Sequence, residues 1–201
     1  SWRNSDDGFV RDVHVSKLII DPNNNNVFYA TTQGATEYTD KVGDGAGVFK
    51  SNDRGNSWTQ INNGLDSLET NILTVDPNDS ETLYLGTDDD GVYKSTDGGE
   101  SWKKLNVSSI PKSFGVGDII VDPQNSNNIY IGTVDYFRLS ESRGVLGDFG
   151  VYKSTDGGAT WEEFNAGLNH LGVFSLELSE ENRILYAGTR AGGVYWISLD
   201  N

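Results

Sequence analysis

The stretch Gly150-Val151-Tyr152-Lys153-Ser154-Thr155-Asp156-Gly157-Gly158-Ala159-Thr160-Trp161 decides the fold of this chain. It recurs almost letter for letter as Gly91-Val92-Tyr93-Lys94-Ser95-Thr96-Asp97-Gly98-Gly99-Glu100-Ser101-Trp102. A looser third copy is Gly47-Val48-Phe49-Lys50-Ser51-Asn52-Asp53-Arg54-Gly55-Asn56-Ser57-Trp58. Each copy is a short apolar-alternating run, a tight polar turn and a second run opening on Ser/Thr-Trp, which is the pattern of a β-hairpin. The turn residues carry the physics. The Asp97 carboxylate can fold back onto backbone N–H groups of its own loop, and Gly98 and Gly99 permit positive φ. Trp102 then carries a large apolar side chain from the turn into a core.

Working outward, the flanking segments repeat as well. Lys17-Leu18-Ile19-Ile20-Asp21-Pro22 returns as Leu73-Thr74-Val75-Asp76-Pro77 and Ile119-Ile120-Val121-Asp122-Pro123, with a degenerate copy at Ser175-Leu176-Glu177-Leu178-Ser179. These are first strands, and Asp-Pro followed by a polar residue marks the turn that ends them. Second strands follow at Val27–Thr31, Leu83–Thr87, Ile129–Thr133 and Leu185–Thr189, and third strands begin at Gly47, Gly91, Gly150 and Gly193. A four-strand unit recurring at roughly 50 residues implies a propeller or an array.

The pattern Ser-x-Asp-x-Gly-x-Ser/Thr-Trp resembles the Asp-box of the BNR (sialidase-type) repeat family. It is carried here by Ser51, Asp53, Gly55 and Trp58, by Ser95, Asp97, Gly99 and Trp102, and by Ser154, Asp156, Gly158 and Trp161. The resemblance implies that each box closes the hairpin between the third and fourth strands of a blade, and that its residues are structural. The expected fold is an all-β propeller with four repeats in a single domain, residues 1–201. Blade one is expected over 16–61, blade two over 70–105, blade three over 116–164 and blade four over 172–198. Ser1-Trp2-Arg3-Asn4 matches Ser57-Trp58-Thr59-Gln60, so residues 1–4 are expected to complete blade four as its fourth strand, hiding an open edge. A closed four-blade ring, a ring shared by two chains and part of a larger propeller all satisfy this strand accounting.

Composition excludes several classes of function. Thirty acidic against fifteen basic residues give a formal net charge of −15, which disfavours nucleic acid and anionic membranes as partners. No apolar run is long enough to span a bilayer. Cysteine and methionine are absent, and with only His14 and His170 as imidazoles neither a zinc site nor a Ser-His-Asp triad has much material. No cofactor or metal is expected. A chain opening on Ser1 is read as processed or as a piece of something longer.

The variable chemistry lies in two long loops between second and third strands, Gln33 to Ala46 and Val134 to Phe149, which share one face of a propeller. The corresponding crossings in blades two and four are only Asp88-Asp89-Asp90 and Arg190-Ala191-Gly192. Candidate binding residues are Glu37, Tyr38, Asp135, Tyr136, Phe137, Arg138, Phe149 and, from a blade connector, His170. Aromatics interleaved with carboxylates suit a glycan, whose C–H faces stack on rings and whose hydroxyls bond acids. Solvated loops whose aromatics pack locally are the competing reading.

The sialidase activity that the family name suggests would need an arginine triad and a Tyr–Glu nucleophile pair, and the seven arginines do not supply it. The repeats are also similar to those of xyloglucan-cleaving endoglucanases built from two Asp-box propellers, where the resemblance implies catalytic acids between two whole propellers. The reading is therefore a non-catalytic, extracellular or surface-exposed propeller module presenting a loop-rich face to a glycan or protein partner. The alternatives are part of a glycoside hydrolase, or a structural subunit of a strand-sharing homo-oligomer.

Overall fold

The computed structural model describes residues 1, 3–9, 13–34, 45–110, 114–135 and 148–200. Among these, every regular element is a strand: β1 (Val13–Asp21), β2 (Asn24–Gly34), β3 (Val48–Ser51), β4 (Thr59–Gln60), β5 (Thr70–Asp76), β6 (Asp79–Thr87), β7 (Val92–Ser95), β8 (Lys103–Lys104), β9 (Gly115–Val121), β10 (Ile129–Val134), β11 (Val151–Ser154), β12 (Glu162–Glu163), β13 (Val173–Ser179), β14 (Ile184–Thr189) and β15 (Gly193–Ser198). They form four antiparallel meanders in chain order, β1-β2-β3-β4, β5-β6-β7-β8, β9-β10-β11-β12 and β13-β14-β15. These are the blades of a β-propeller, one per sequence repeat. Among the described residues no helix is long and apolar enough to cross a membrane.

The chain divides into two compact units. The first comprises Ser1–Thr87 with Tyr93–Lys104, and the second Asp88–Val92 with Leu105–Asn201. In the first unit, Leu73 and Val75 of β5 and Leu83 and Leu85 of β6 pack with Tyr29 of β2, Val48 of β3 and Trp102 in one core. In the second, Leu176 and Leu178 of β13 and Leu185 and Ala187 of β14 pack with Tyr130 of β10 and Val151 of β11. The second strands β6 and β10 read as nearly continuous apolar runs and are buried along most of their length, whereas β1 leaves Val15, Leu18 and Ile20 exposed. The outer strands β4, β8 and β12 are two residues long and exposed. Such short polar edges resist pairing with other chains.

Two local devices recur. Each Asp-Pro turn is held by its own carboxylate, which accepts the N–H two residues on: Asn23 to Asp21 at 2.8 Å, Asn78 to Asp76 at 2.9 Å and Gln124 to Asp122 at 3.0 Å. Each third strand is entered through a glycine at positive φ, Gly47 at 76°, Gly91 at 82°, Gly150 at 85° and Gly193 at 78°. The glycine is needed for space as well as for φ. A Cβ on Gly47 or Gly150 would lie 2.3 or 2.1 Å from the side-chain oxygen of Asn62 or Asn165, which accepts the next N–H of the strand.

The N-terminal segment straps blade one. Trp58 donates its backbone N–H to the Asp7 carbonyl at 2.8 Å and its indole N–H to the Ser5 carbonyl at 3.1 Å. Phe9 stacks on Phe49 with ring centroids 4.4 Å apart. Completion of blade four by residues 1–4 is not shown. Trp2 lies outside the described residues, Arg3 and Asn4 are exposed and in no strand, and the last sheet has three strands.

Candidate functional site

The box turns have one geometry in all three copies. Ser95 is buried; its hydroxyl donates to Asp97 Oδ1 at 2.7 Å and accepts the Gly99 N–H at 2.9 Å. Asp97 Oδ1 also accepts the Ser101 N–H at 2.9 Å, while Oδ2 accepts the Ser101 hydroxyl. Ser51 with Asp53, Gly55 and Ser57, and Ser154 with Asp156, Gly158 and Thr160, repeat these bonds. The hydroxyl of the Ser or Thr four residues on, together with further N–H and O–H donors, holds each of the three aspartates at a pKa of about 2. These carboxylates are saturated by their own turns. Trp58, Trp102 and Trp161 are buried.

At the other end of each unit, the described part of the candidate site is the neck of a long loop. In the first unit the Glu69 carboxylate braces both stems of the 35–44 loop, accepting the Gly34 N–H at 3.0 Å and the Gly45 N–H at 2.8 Å. In the second unit the corresponding brace is Asp148, whose Oδ1 accepts the Asp135 N–H at 2.8 Å. The acid has changed places. Gly172 precedes β13 where Glu69 precedes β5, and Asp148 stands two residues before Gly150 where Gly45 stands two before Gly47. A Cβ on Gly172 would lie 2.9 Å from the Asp148 carboxylate, so the glycine makes room for the transferred acid.

Arg190 completes the second neck. It donates to the Asp135 carbonyl, lies 3.8 Å from Asp148 Oδ1, and sits over the half-exposed Phe174 ring at 5.3 Å. Its own N–H bonds the Gly172 carbonyl at 2.8 Å. Beside it, exposed His170 lies against Gly192, with its ring 6.3 Å from that of Tyr195.

Of the residues singled out from sequence, Asp135 and Phe149 are brought to this neck. Asp135 is buried, and Phe149 donates its N–H to Thr133 Oγ1 at 2.9 Å and accepts from Asn165 at 2.9 Å. His170 stands at the neighbouring edge. Glu37, Tyr38, Tyr136, Phe137 and Arg138 lie outside the described residues. Phe114, on a blade connector, is buried. Sequence reading missed Glu69, Gly172 and the clamping role of Arg190. None belongs to a repeated motif; the only signal was the reciprocal Gly/acid exchange at aligned positions of two blades.

Comparison with known proteins places these features. The Sortilin-Vps10 family model, described as "Sortilin, neurotensin receptor 3", matches residues 46–194. Xyloglucanase Xgh74A of Acetivibrio thermocellus is 36% identical over 96 residues, covering 43% of this chain and 11% of that protein. The crystal structure of the GH74 enzyme of Niastella koreensis is similar with a TM-score of 0.66 at 27% identity, over 92% of this chain and 28% of that one. That of an ancestral GH74 enzyme has a TM-score of 0.71 at 26% identity, over 96% of this chain and 23% of the other. The chain thus spans 11% of the curated relative and 28% and 23% of the two solved chains. With its repeated boxes, its four blades and a family match over most of its length, the chain belongs to the Sortilin-Vps10 family of BNR-type, Asp-box β-propellers.

Proposed function

We propose that this chain is part of an extracellular, glycoside-hydrolase-related propeller that presents its loop-rich face to a glycan and carries no catalytic centre of its own. The observation that carries this reading is the braced neck. In the first unit the Glu69 carboxylate, just before β5, bonds both stems of the long loop at Gly34 and Gly45, and in the second Asp148 ties one stem to the other through the Asp135 N–H. Loops fixed at their stems by a rigid scaffold present a recognition surface at reduced entropic cost. The similarity to a xyloglucanase and to GH74 enzymes supports a plant-type β-glucan as the ligand class. Such a polymer is neutral, so an acidic protein does not repel it. It is also too large to cross a membrane intact, which supports a site of action outside the cell.

A second reading, a segment of a glycoside hydrolase whose catalytic acids are completed by another propeller, is favoured by the identity to Xgh74A. Affinity electrophoresis in gels containing xyloglucan, paired with a reducing-end assay, separates the two. Retarded migration with no release of reducing ends supports a binding module. Tyr38→Ala together with Tyr136→Ala should then remove the retardation while the melting temperature holds. Steady release of reducing ends by the isolated chain would overturn the non-catalytic reading, and unretarded migration would overturn the glycan reading.

A further inference from the structure

The chain contains a single Asn-Gly pair, Asn63-Gly64, in the linker between the first two blades. The pair forms the middle of a tight turn. The Leu65 N–H donates to the Asn62 carbonyl at 3.0 Å, and Gly64 takes φ 91°. A turn of this kind needs positive φ at its third residue, which glycine supplies without strain. Space demands glycine as well, because a Cβ on Gly64 would lie 2.2 Å from the Trp102 carbonyl oxygen. The same turn returns at Asp7-Gly8 and at Ala166-Gly167, closed by Phe9 on the Asp6 carbonyl and by Leu168 on the Asn165 carbonyl, both at 2.9 Å. The fold thus fixes the glycine and accepts an acid, an amide or alanine before it.

What the turn takes from Asn63 is its main chain. The Asn63 carbonyl accepts the Trp102 N–H at 2.8 Å, a clasp on the residue that opens β8. The Asn63 side chain reaches the Glu100 carbonyl through Nδ2 at 3.5 Å. All of these residues lie in the first compact unit. Asn63 and Gly64 are both exposed, and among the described residues the Gly64 N–H donates no hydrogen bond. A main-chain nitrogen next to a carboxamide, with no side chain to shield it and no acceptor to hold its proton, is placed for attack on that carboxamide.

Two other dipeptides have the same connectivity and are shielded by their turns. In Asp97-Gly98 and Asp156-Gly157 the glycine N–H is occupied, donating to the Glu81 carbonyl at 2.9 Å and to the Asn127 carbonyl at 3.0 Å. Their carboxylates are bonded at both oxygens and stay ionised down to a pKa of about 2, which makes them poor electrophiles.

We infer that Asn63 is a site of spontaneous deamidation through a succinimide, and that this modification loosens the clasp on Trp102 as the protein ages. The Gly64 nitrogen adds to Asn63 Cγ, its proton passes through solvent to the amide nitrogen, and ammonia leaves. Water then opens the ring. Opening at Cγ restores the main chain with an aspartate at position 63, whose carboxylate meets the Glu100 carbonyl oxygen that Nδ2 now approaches. Opening at the main-chain carbonyl gives isoaspartate. The carbonyl that held Trp102 then becomes a pendant carboxylate, and the main chain gains one methylene in a turn that has no room for a Cβ.

Peptide mapping of the folded protein after ageing in mildly alkaline buffer reads this directly, with the urea-unfolded chain setting the ageing period. The peptide carrying Asn63 should show the mass of an amide converted to an acid, and isoaspartyl methyltransferase should label it. Peptides carrying Asp97 and Asp156 should stay unlabelled. Asn63→Gln must close a larger ring and should slow conversion about tenfold or more. Aged wild-type protein should melt below fresh protein, freshly made Asn63→Asp should melt below wild type, and aged Asn63→Gln should keep its melting temperature. A folded protein that keeps Asn63 intact while the unfolded chain converts would overturn the inference, since the fold then protects the pair. Conversion at Asn63 with no change in melting temperature would overturn the link to the Trp102 clasp.

Discussion

A single buried hydroxyl organises each box turn. Ser95 Oγ accepts the Gly99 N–H at 2.9 Å and the Asp97 N–H at 3.3 Å while donating to Asp97 Oδ1. Ser95→Ala leaves these donors in the interior without an acceptor and should cost about 1–3 kcal/mol, read as a lowered denaturation midpoint. The box tryptophans differ in a way their shared motif conceals. Trp58 and Trp102 donate their indole N–H to linker carbonyls, whereas the buried Trp161 Nε1 has no hydrogen-bond partner among the described residues. Substitution by Phe removes a bond in one case and relieves an unsatisfied donor in the other. Trp102→Phe should therefore be more destabilising than Trp161→Phe by about 1 kcal/mol. Equal losses in chemical denaturation would show that the indole bond contributes nothing.

At the scale of elements, within each unit an acid of one blade is met by a donor of the next. Ser80 of β6 donates to Asp21 at 2.8 Å, and Arg183 grips Asp122 through two bonds of 2.9 and 2.6 Å. Burial would raise the Asp122 carboxyl, but the bonds from Arg183, the Gln124 N–H and Asn128 outweigh it and hold it below the usual carboxylate range. Arg183→Met strands a fully buried carboxylate, and a loss of about 3–5 kcal/mol is expected in urea unfolding. The loop necks offer a swap experiment. Gly172→Glu alone would crowd a second carboxylate against Asp148 and should lower the melting temperature. Combined with Asp148→Gly it rebuilds the brace of the first unit and should recover most of the loss. In the first unit, Glu69→Ala should speed amide exchange at Gly34 and Gly45 roughly tenfold, the equivalent of one lost hydrogen bond each.

For the whole molecule the three boxes act together on acid stability. Each box aspartate falls from an ordinary 3.8 to about 2 on folding. The folded state binds the proton less readily than the unfolded chain, so the stabilisation is present above pH ~4 and is lost as pH falls towards ~2. Melting temperatures measured across that window should decline steeply for the wild type. They should decline less for Asp53→Asn/Asp97→Asn/Asp156→Asn, because an amide has no proton to take up. A triple variant with an unchanged acid profile would remove the boxes from the acid response. The net charge of −15 acts in the opposite sense at neutral pH, where self-repulsion works against compactness and is relieved by salt.

The sequence by itself determined the propeller class, the four repeats, the strand order within each blade and the closure of each box hairpin. Those features rest on contacts between residues a few positions apart, such as Ser95 with Asp97 and Gly99, so the residue pattern contains both partners in one short stretch. Of the candidate site, Asp135, Phe149 and His170 were legible as loop and connector residues on one face. The tertiary structure decided which acid braces which loop. Glu69 reaches 24 and 35 positions to Gly45 and Gly34, and Arg190 reaches 55 positions to Asp135. It also decided that Leu18, Ile20 and Val194 stand exposed where their repeat counterparts are buried. A repeat pattern specifies the strands and turns within each blade, and only packed coordinates show which residues from distant repeats meet.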